Sequence, residues 1–215
     1  MNPNRQLAAL LVVDMQPDFL PGGALPVAGG DEILGPLAEL MRSDRFGLCV
    51  ATQDWHPPGH ISFASRHSRK PMESIQLHGH LQTLWPDHCV QGTPGASLHG
   101  VLPFDRADAI IRKGTDPGTD SYSGFRNNWN AEGQRPPTGL AGYLMERGVE
   151  EVYICGLARD VCVTWTAEDA ADAGFRTFLF WDLSRAVDPS SDRTVRASLE
   201  ARGVQIALSA DLRGA

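Results

Sequence analysis

Cysteine is scarce in this chain, and its four copies, Cys49, Cys89, Cys155 and Cys162, form no CxxC pair. That spacing excludes a disulfide framework, so the fold must rest on its own core. A chain of 215 residues is long enough to bury one. Long apolar runs are missing as well. The run at residues 7–13 (LAALLVV) is too short to span a membrane, and no small-residue cleavage site follows it. A cytoplasmic location is the expectation, with the cysteines as thiols. Basic runs are also absent. The formal net charge is −7, and an acidic chain repels a phosphate backbone, which argues against a nucleic-acid partner. There is no internal repeat and no low-complexity segment. With 42% hydrophobic and 21% charged residues, the composition is that of an ordinary globular protein, read as one domain over 1–215.

What is present is an alternation of short apolar runs and helical periods. Residues 7–13 form a continuous apolar run that ends in Asp14, followed by Pro17, Pro21, Gly22 and Gly23. Such a run reads as a strand buried on both faces. Helical spacing follows at 31–42, then a strand at 46–52 running into Gln53 and Asp54. Further on, the pattern predicts strands at 109–112, 152–155, 176–181 and 204–208, with helices at 139–147, 161–173 and 191–201. Strands alternating with helices imply a parallel sheet with helices on both faces, an α/β three-layer (α/β/α), Rossmann-like fold. Residues from about 55 to 105 break the pattern. They are rich in Pro, Gly, His and Ser, and they hold Trp55, Trp85 and the histidines. A long irregular stretch of this kind suggests a functional loop region.

Asp14, Asp54, Lys113 and Cys162 all fall at or just beyond the carboxyl end of a predicted strand. In open α/β sheets ligands bind along that edge. Cys162 lies in GLARDVCV (156–163), at a strand-to-helix junction, where the helix dipole is expected to lower its pKa and favour the thiolate. Backbone amides there suit a developing oxyanion. A carboxylate beside a thiol serves as general base and then general acid, which fits Asp14. Lys113 would keep such a pair charged. Asp54 and His56, two apart on an extended segment, point to the same side and could bind one divalent cation, with His88 as a third ligand. Two imidazoles and a carboxylate suit zinc, iron or manganese. His60 could supply a fourth ligand or support one of the three from behind.

These motifs resemble the nicotinamidase/pyrazinamidase family of isochorismatase-like cysteine hydrolases over almost the whole chain. VVDMQPDFLPGGALPV (12–27) is similar to the opening motif of that family. QDWHPPGHISFAS (53–65) and LWPDHCVQGTPGA (84–96) resemble its metal segments, RKGTDPGTDSYSGF (112–125) its lysine segment and GLARDVCV its nucleophile segment. Related isochorismatases and carbamoyl-amide hydrolases share the Asp, Lys and Cys pattern but generally lack the metal segments. The resemblance implies an isochorismatase-like hydrolase fold. It implies Asp14 as base, Lys113 as its charged partner and Cys162 as nucleophile. It implies Asp54, His56 and His88 around one divalent metal, zinc first, with iron or manganese as alternatives. The amides of Ala158 and Cys162 would form an oxyanion hole after a cis Leu157–Ala158 peptide. Phe19, Trp85 and Tyr122 would hold the ring of nicotinamide, the implied substrate, with pyrazinamide beside it, in the salvage of NAD. Two departures stand out: Pro17 where the family usually has Asn, and Val161 where it often has Tyr or His. Other readings remain open at this point: a hydrolase of another small carboxamide or a vinyl ether, a non-catalytic metal-binding protein on the same fold, and a redox sensor using Cys155 and Cys162. Oligomeric state is open too, a homo-oligomer included.

Overall fold

The computed structural model describes residues 3–212. In chain order its main elements are β1 (Ala8–Val13), α1 (Leu34–Arg42), β2 (Leu48–Asp54), β3 (Ser74–Leu77), β4 (His80–Thr83), β5 (Ala109–Lys113), α2 (Leu140–Glu146), β6 (Glu151–Leu157), α3 (Thr164–Asp172), β7 (Arg176–Arg185), α4 (Asp192–Ala201) and β8 (Gln205–Ala207). Among the described residues, six strands form one parallel sheet in the order β5-β2-β1-β6-β7-β8. No helix among them is long and apolar enough to cross a membrane.

The continuous apolar run of β1 is explained by burial on both faces. Ala8, Leu10 and Val12 pack with Tyr153, Phe178 and Phe180 against Leu37, Leu40 and Met41 of α1. Ala9, Leu11 and Val13 turn the other way, with Val152, Ile154 and Leu179, toward Leu140 and Leu144 of α2, Ala167 of α3 and Leu199 of α4. A period of two thus feeds two cores, one on each side of the sheet. Each buried Leu, Ile, Val or Phe contributes about 1.5–3 kcal/mol of transfer free energy. The expected three-layer α/β/α arrangement is what the chain adopts.

Chain order also locates the crevice. From β1 the chain moves through α1 to β2 on one side, and from β6 through α3 to β7 on the other. The direction of winding therefore reverses between neighbours β1 and β6, and a gap opens at their carboxyl ends.

The structure departs from the sequence reading in three places. Residues 55–105 are not wholly irregular: β3 and β4 form an antiparallel hairpin, with His78 and Gly79 both at positive φ (50° and 83°) in its two-residue turn. The helix expected from residue 161 begins instead as a π-helical turn, Arg159–Val163, and becomes α-helical only at Thr164. And β7 runs on to Arg185 rather than stopping at Trp181, because its pairing with β6 slips: Ile154 faces Leu179, but Gly156 faces Ser184.

Candidate active site

The sheet order sets four reactive side chains beside one another. Lys113 ends β5 and pairs in register with Asp54, which ends β2. Asp14 follows β1, and Cys162 sits in the turn after β6. Lys113 is 1% exposed, and its ammonium lies 2.9 Å from Asp14 Oδ2 and 3.0 Å from Asp54 Oδ1. It also donates to the Ser121 carbonyl at 3.0 Å, and Cys162 Sγ stands 3.5 Å away. An ammonium has three hydrogens, and here they go to Asp54 Oδ1, the Ser121 carbonyl and Cys162 Sγ, while Asp14 Oδ2 meets Lys113 as an ion pair. Lys113 therefore acts on the sulfur both as a charge and as a hydrogen-bond donor.

Asp14 is fully buried with φ of 48°, in the left-handed region that Asp tolerates better than most residues. Thr52 fixes it from both sides: the hydroxyl donates to Asp14 Oδ1 at 2.6 Å and accepts the Asp14 amide at 3.1 Å. Gln16 braces the neighbouring strand end. Its amide oxygen accepts the Asp54 N–H at 2.8 Å, and its amide nitrogen donates to the carbonyls of Asp54 and Ala96. Neither Thr52 nor Gln16 was singled out from sequence.

The electrostatics follow from one cation among acidic groups in a dry site. Burial pushes the Asp14 carboxyl up, only partly offset by Lys113, and Asp54 pushes it further. Burial would raise Asp54 too, but His56 and Lys113 outweigh it and hold that carboxyl well below its ordinary value. Burial opposes the Lys113 charge, but Asp14 and Asp54 outweigh it and keep the ammonium protonated. The Cys162 thiol is pushed well above its ordinary value by burial, against Lys113, with Asp14 adding to the rise through charge and a hydrogen bond. This corrects the expectation of a helix-dipole thiolate. Cys162 lies inside a π-helical turn rather than at a free helix end, and desolvation outweighs any dipole there. The resting sulfur is a thiol, and it needs a base.

Asp54 leads into the second cluster. Its Oδ2 lies 3.0 Å from His56 Nε2 and 3.3 Å from His88 Nε2. Donors about 2.0–2.2 Å from a shared ion stand roughly 3.0–3.5 Å apart, so this set fits a divalent metal. The remaining ring nitrogens support the fit: His56 Nδ1 faces the Gly114 carbonyl at 3.0 Å, and His88 Nδ1 the Pro86 carbonyl at 2.7 Å. A carbonyl at Nδ1 holds a proton there and leaves Nε2, which faces Asp54 Oδ2, as the nitrogen that would meet an ion. Gly114 is required at its position, because a Cβ would come within 2.4 Å of the His56 ring. His60 is arranged differently. Ser62 donates to its Nδ1 from both hydroxyl (2.8 Å) and amide (3.4 Å), so the proton sits on Nε2, toward the Thr119 carbonyl. Burial, then His56, lowers its pKa to about 4. His56, His60 and Asp120 form a second donor group, but it shares His56, whose single available nitrogen serves one ion.

Both clusters border one cavity. Its walls include Asp54, His56, His88, Ala158 and Cys162, together with Phe19, Trp85 and Tyr122. Asp14 and Lys113 are buried behind Cys162. The Leu157–Ala158 peptide is cis. The Phe19 ring meets His88 edge-on at 5.5 Å, and the Tyr122 hydroxyl accepts from Trp85 Nε1 at 3.1 Å and from Gln82 at 2.9 Å. The sequence reading missed Leu25, Val187 and Asp120 in these walls, and Gln82, which reaches in from β4 to donate to Asp120 at 2.6 Å. Val161, noted as a departure, also lines the cavity, so the wall there is aliphatic.

Fold and site together define a class: a hydrolase of α/β architecture with its thiol at the carboxyl edge of a parallel sheet. The chain belongs to the isochorismatase family, whose domain matches residues 8–211. It is 49% identical over 181 residues to the nicotinamidase of Acinetobacter baylyi, covering 84% of this chain and 82% of that one. A solved nicotinamidase/pyrazinamidase of Acinetobacter baumannii superposes with a TM-score of 0.91 at 43% identity, covering 98% of this chain and all (100%) of that one. The pyrazinamidase of Pyrococcus horikoshii, solved in complex with zinc, gives a TM-score of 0.77 at 40% identity, covering 94% of this chain and 99% of that one.

Proposed function

We propose that this protein is a nicotinamidase, hydrolysing nicotinamide to nicotinate and ammonia through a thioester on Cys162, and pyrazinamide by the same route. The observation that carries the reading is the meeting of two chemistries in one cavity: a buried thiol beside a carboxylate of raised pKa, and an Asp54, His56 and His88 donor set. Nicotinamide presents a carboxamide to the first and a ring nitrogen to the second. Asp54, His56 and His88 would hold one divalent metal, zinc in the first instance. When bound, that ion supplies a Lewis-acid contact for the ring nitrogen.

Phe19, Trp85 and Tyr122 hold the flat ring. Asp14 takes the Cys162 proton, which its raised pKa suits it to accept and return. The sulfur attacks the carboxamide carbon, the C–S bond forms, and the carbonyl electron pair moves to oxygen, where the amides of Ala158 and Cys162 donate to it. As the C–N bond breaks, Asp14 returns the proton to nitrogen and ammonia leaves. Water then attacks the thioester and gives a proton to Asp14, nicotinate departs, and the sulfur recovers its proton. Lys113 steadies the negative charge that alternates between Asp14 and the sulfur. The four cysteines are free thiols, which suits a reducing cytoplasm.

The test is ammonia release from nicotinamide by purified protein, before and after chelator treatment and again after metal is restored. Release that falls and recovers supports reaction, substrate and metal together. No release from metal-loaded protein would overturn the substrate and turn the search to other small carboxamides.

A further inference from the structure

Two residues of the nucleophile turn, Arg159 and Asp160, take no part in the chemistry above, yet both are firmly tied. Arg159 is 6% exposed. Its Nε and Nη2 donate to the two carboxylate oxygens of Asp192, the first residue of α4, at 3.0 and 2.7 Å. Its Nη1 donates to the backbone carbonyls of Trp181 and Ser184 at 3.1 and 2.9 Å, and the guanidinium lies 4.1 Å from the Trp181 ring centre. Those carbonyls belong to the segment of β7 that slips against β6. A slipped ladder leaves carbonyls in need of donors, and the guanidinium fork supplies them. Asp160 extends the tie, accepting the amides of Val187 at 2.9 Å and Asp188 at 2.8 Å, and Val187 lines the cavity.

We propose that Arg159 is a positioning residue: by clamping the turn to β7 and α4 it fixes where the Ala158 and Cys162 amides and the thiol sit. The inference rests on the hydrolytic role given above to Cys162. The aromatic walls Phe19, Trp85 and Tyr122 lie on other segments, so a loosened turn costs transition-state stabilisation more than ground-state binding. Lysine keeps the charge but lacks the planar fork, so Arg159→Lys isolates the geometry.

The experiment uses metal-loaded wild type, Arg159→Lys and Asp192→Asn, the last of which loses the carboxylate but keeps the carbonyl contacts. It reads kcat and KM for nicotinamide and the inhibition constants of nicotinaldehyde and nicotinate. The aldehyde carbon takes the Cys162 sulfur and its oxygen takes the thiol proton, so its capture senses the turn. Nicotinate forms no such bond. Arg159→Lys is expected to lower kcat and weaken aldehyde capture by about ten- to a hundredfold, with KM and nicotinate binding changed by less than about threefold. Asp192→Asn should follow in the same direction with a smaller loss. Wild-type kcat and aldehyde capture in a folded Arg159→Lys protein would overturn the proposal, and so would equal losses for aldehyde and nicotinate. Wild type that ignores nicotinamide, with aldehyde capture lost in Arg159→Lys, would sink the substrate and leave the clamp standing.

Discussion

Asp14, Lys113 and Cys162 stand at or just past the ends of sheet strands, whereas His56 and His88 stand in the long connection between β2 and β5, and the two halves of the site are held by different means. The first half inherits its geometry from parallel ladders with cores on both faces. Moving Lys113 or Asp14 means disturbing the sheet or the residues at its edge, while Cys162 stands on a turn that Arg159 ties to β7 and α4. The second half is held by contacts such as His56 to the Gly114 carbonyl and His88 to the Pro86 carbonyl. A single hydrogen bond of this kind contributes about 0.5–1.5 kcal/mol net. The sheet edge and the tied turn hold the first half together, and the connection allows the donor set to be built, and lost, locally. Asp54 alone belongs to both, touching Lys113 on one side and the histidines on the other.

The largest effect should come from Cys162→Ala. Turnover should fall by about 10³-fold or more, with metal content and melting temperature close to wild type. A loss of metal in this variant would show that the halves are coupled through Lys113 and Asp54. Next comes Asp14→Asn, expected to cost about 10²–10⁴-fold in kcat. The same variant removes both the base and a charge that raises the Cys162 pKa, so slower alkylation by iodoacetamide near neutral pH is expected only if the loss of the base outweighs the loss of the charge. Alkylation as fast as wild type or faster would mean that Asp14 acts on the thiol by its charge and that another group takes the proton. His56→Ala probes the opposite half. Bound metal should drop well below the wild-type ratio by elemental analysis, while Cys162 alkylation stays unchanged. An unaltered metal ratio would remove His56 from the donor set.

The same division explains what was legible in the sequence. The apolar run ending in Asp14 and the strand ending in Asp54 announced the sheet edge, because a doubly buried strand has a composition of its own. Asp54 and His56 were legible as a pair because His at i+2 from Asp on an extended segment is a local pattern, whereas His88 reaches them from another part of the connection. Thr52 and Gln16 were not legible. They are ordinary polar residues whose partners, Asp14 and Asp54, lie 38 positions away in sequence. Nor was the state of the Cys162 thiol, since the dipole of a nearby helix is local while desolvation depends on everything packed around the sulfur. The hairpin was missed for a chemical reason: its turn uses His78-Gly79, where Asn-Gly or Asp-Gly is the usual signal.

That hairpin offers the smallest and most discriminating test. Gly79 has a φ of 83°, and no atom lies within 4 Å of where its Cβ would be, so an added methyl meets only backbone strain. A left-handed conformation costs an L-residue about 1–2 kcal/mol. Gly79→Ala should therefore lower the melting temperature by roughly 2–8 °C if the hairpin unfolds with the sheet. The hairpin reaches the cavity through Gln82, which holds Asp120 and Tyr122, and not through Asp54, His56 or His88. Metal content should then be unchanged, and a modest rise in KM should be the only functional trace. If melting is unmoved while KM rises, the hairpin opens independently of the sheet and the connection is looser than the donor set it carries. If metal is lost as well, the loop half is one cooperative unit, and the boundary between the two halves of the site lies at Asp54 itself.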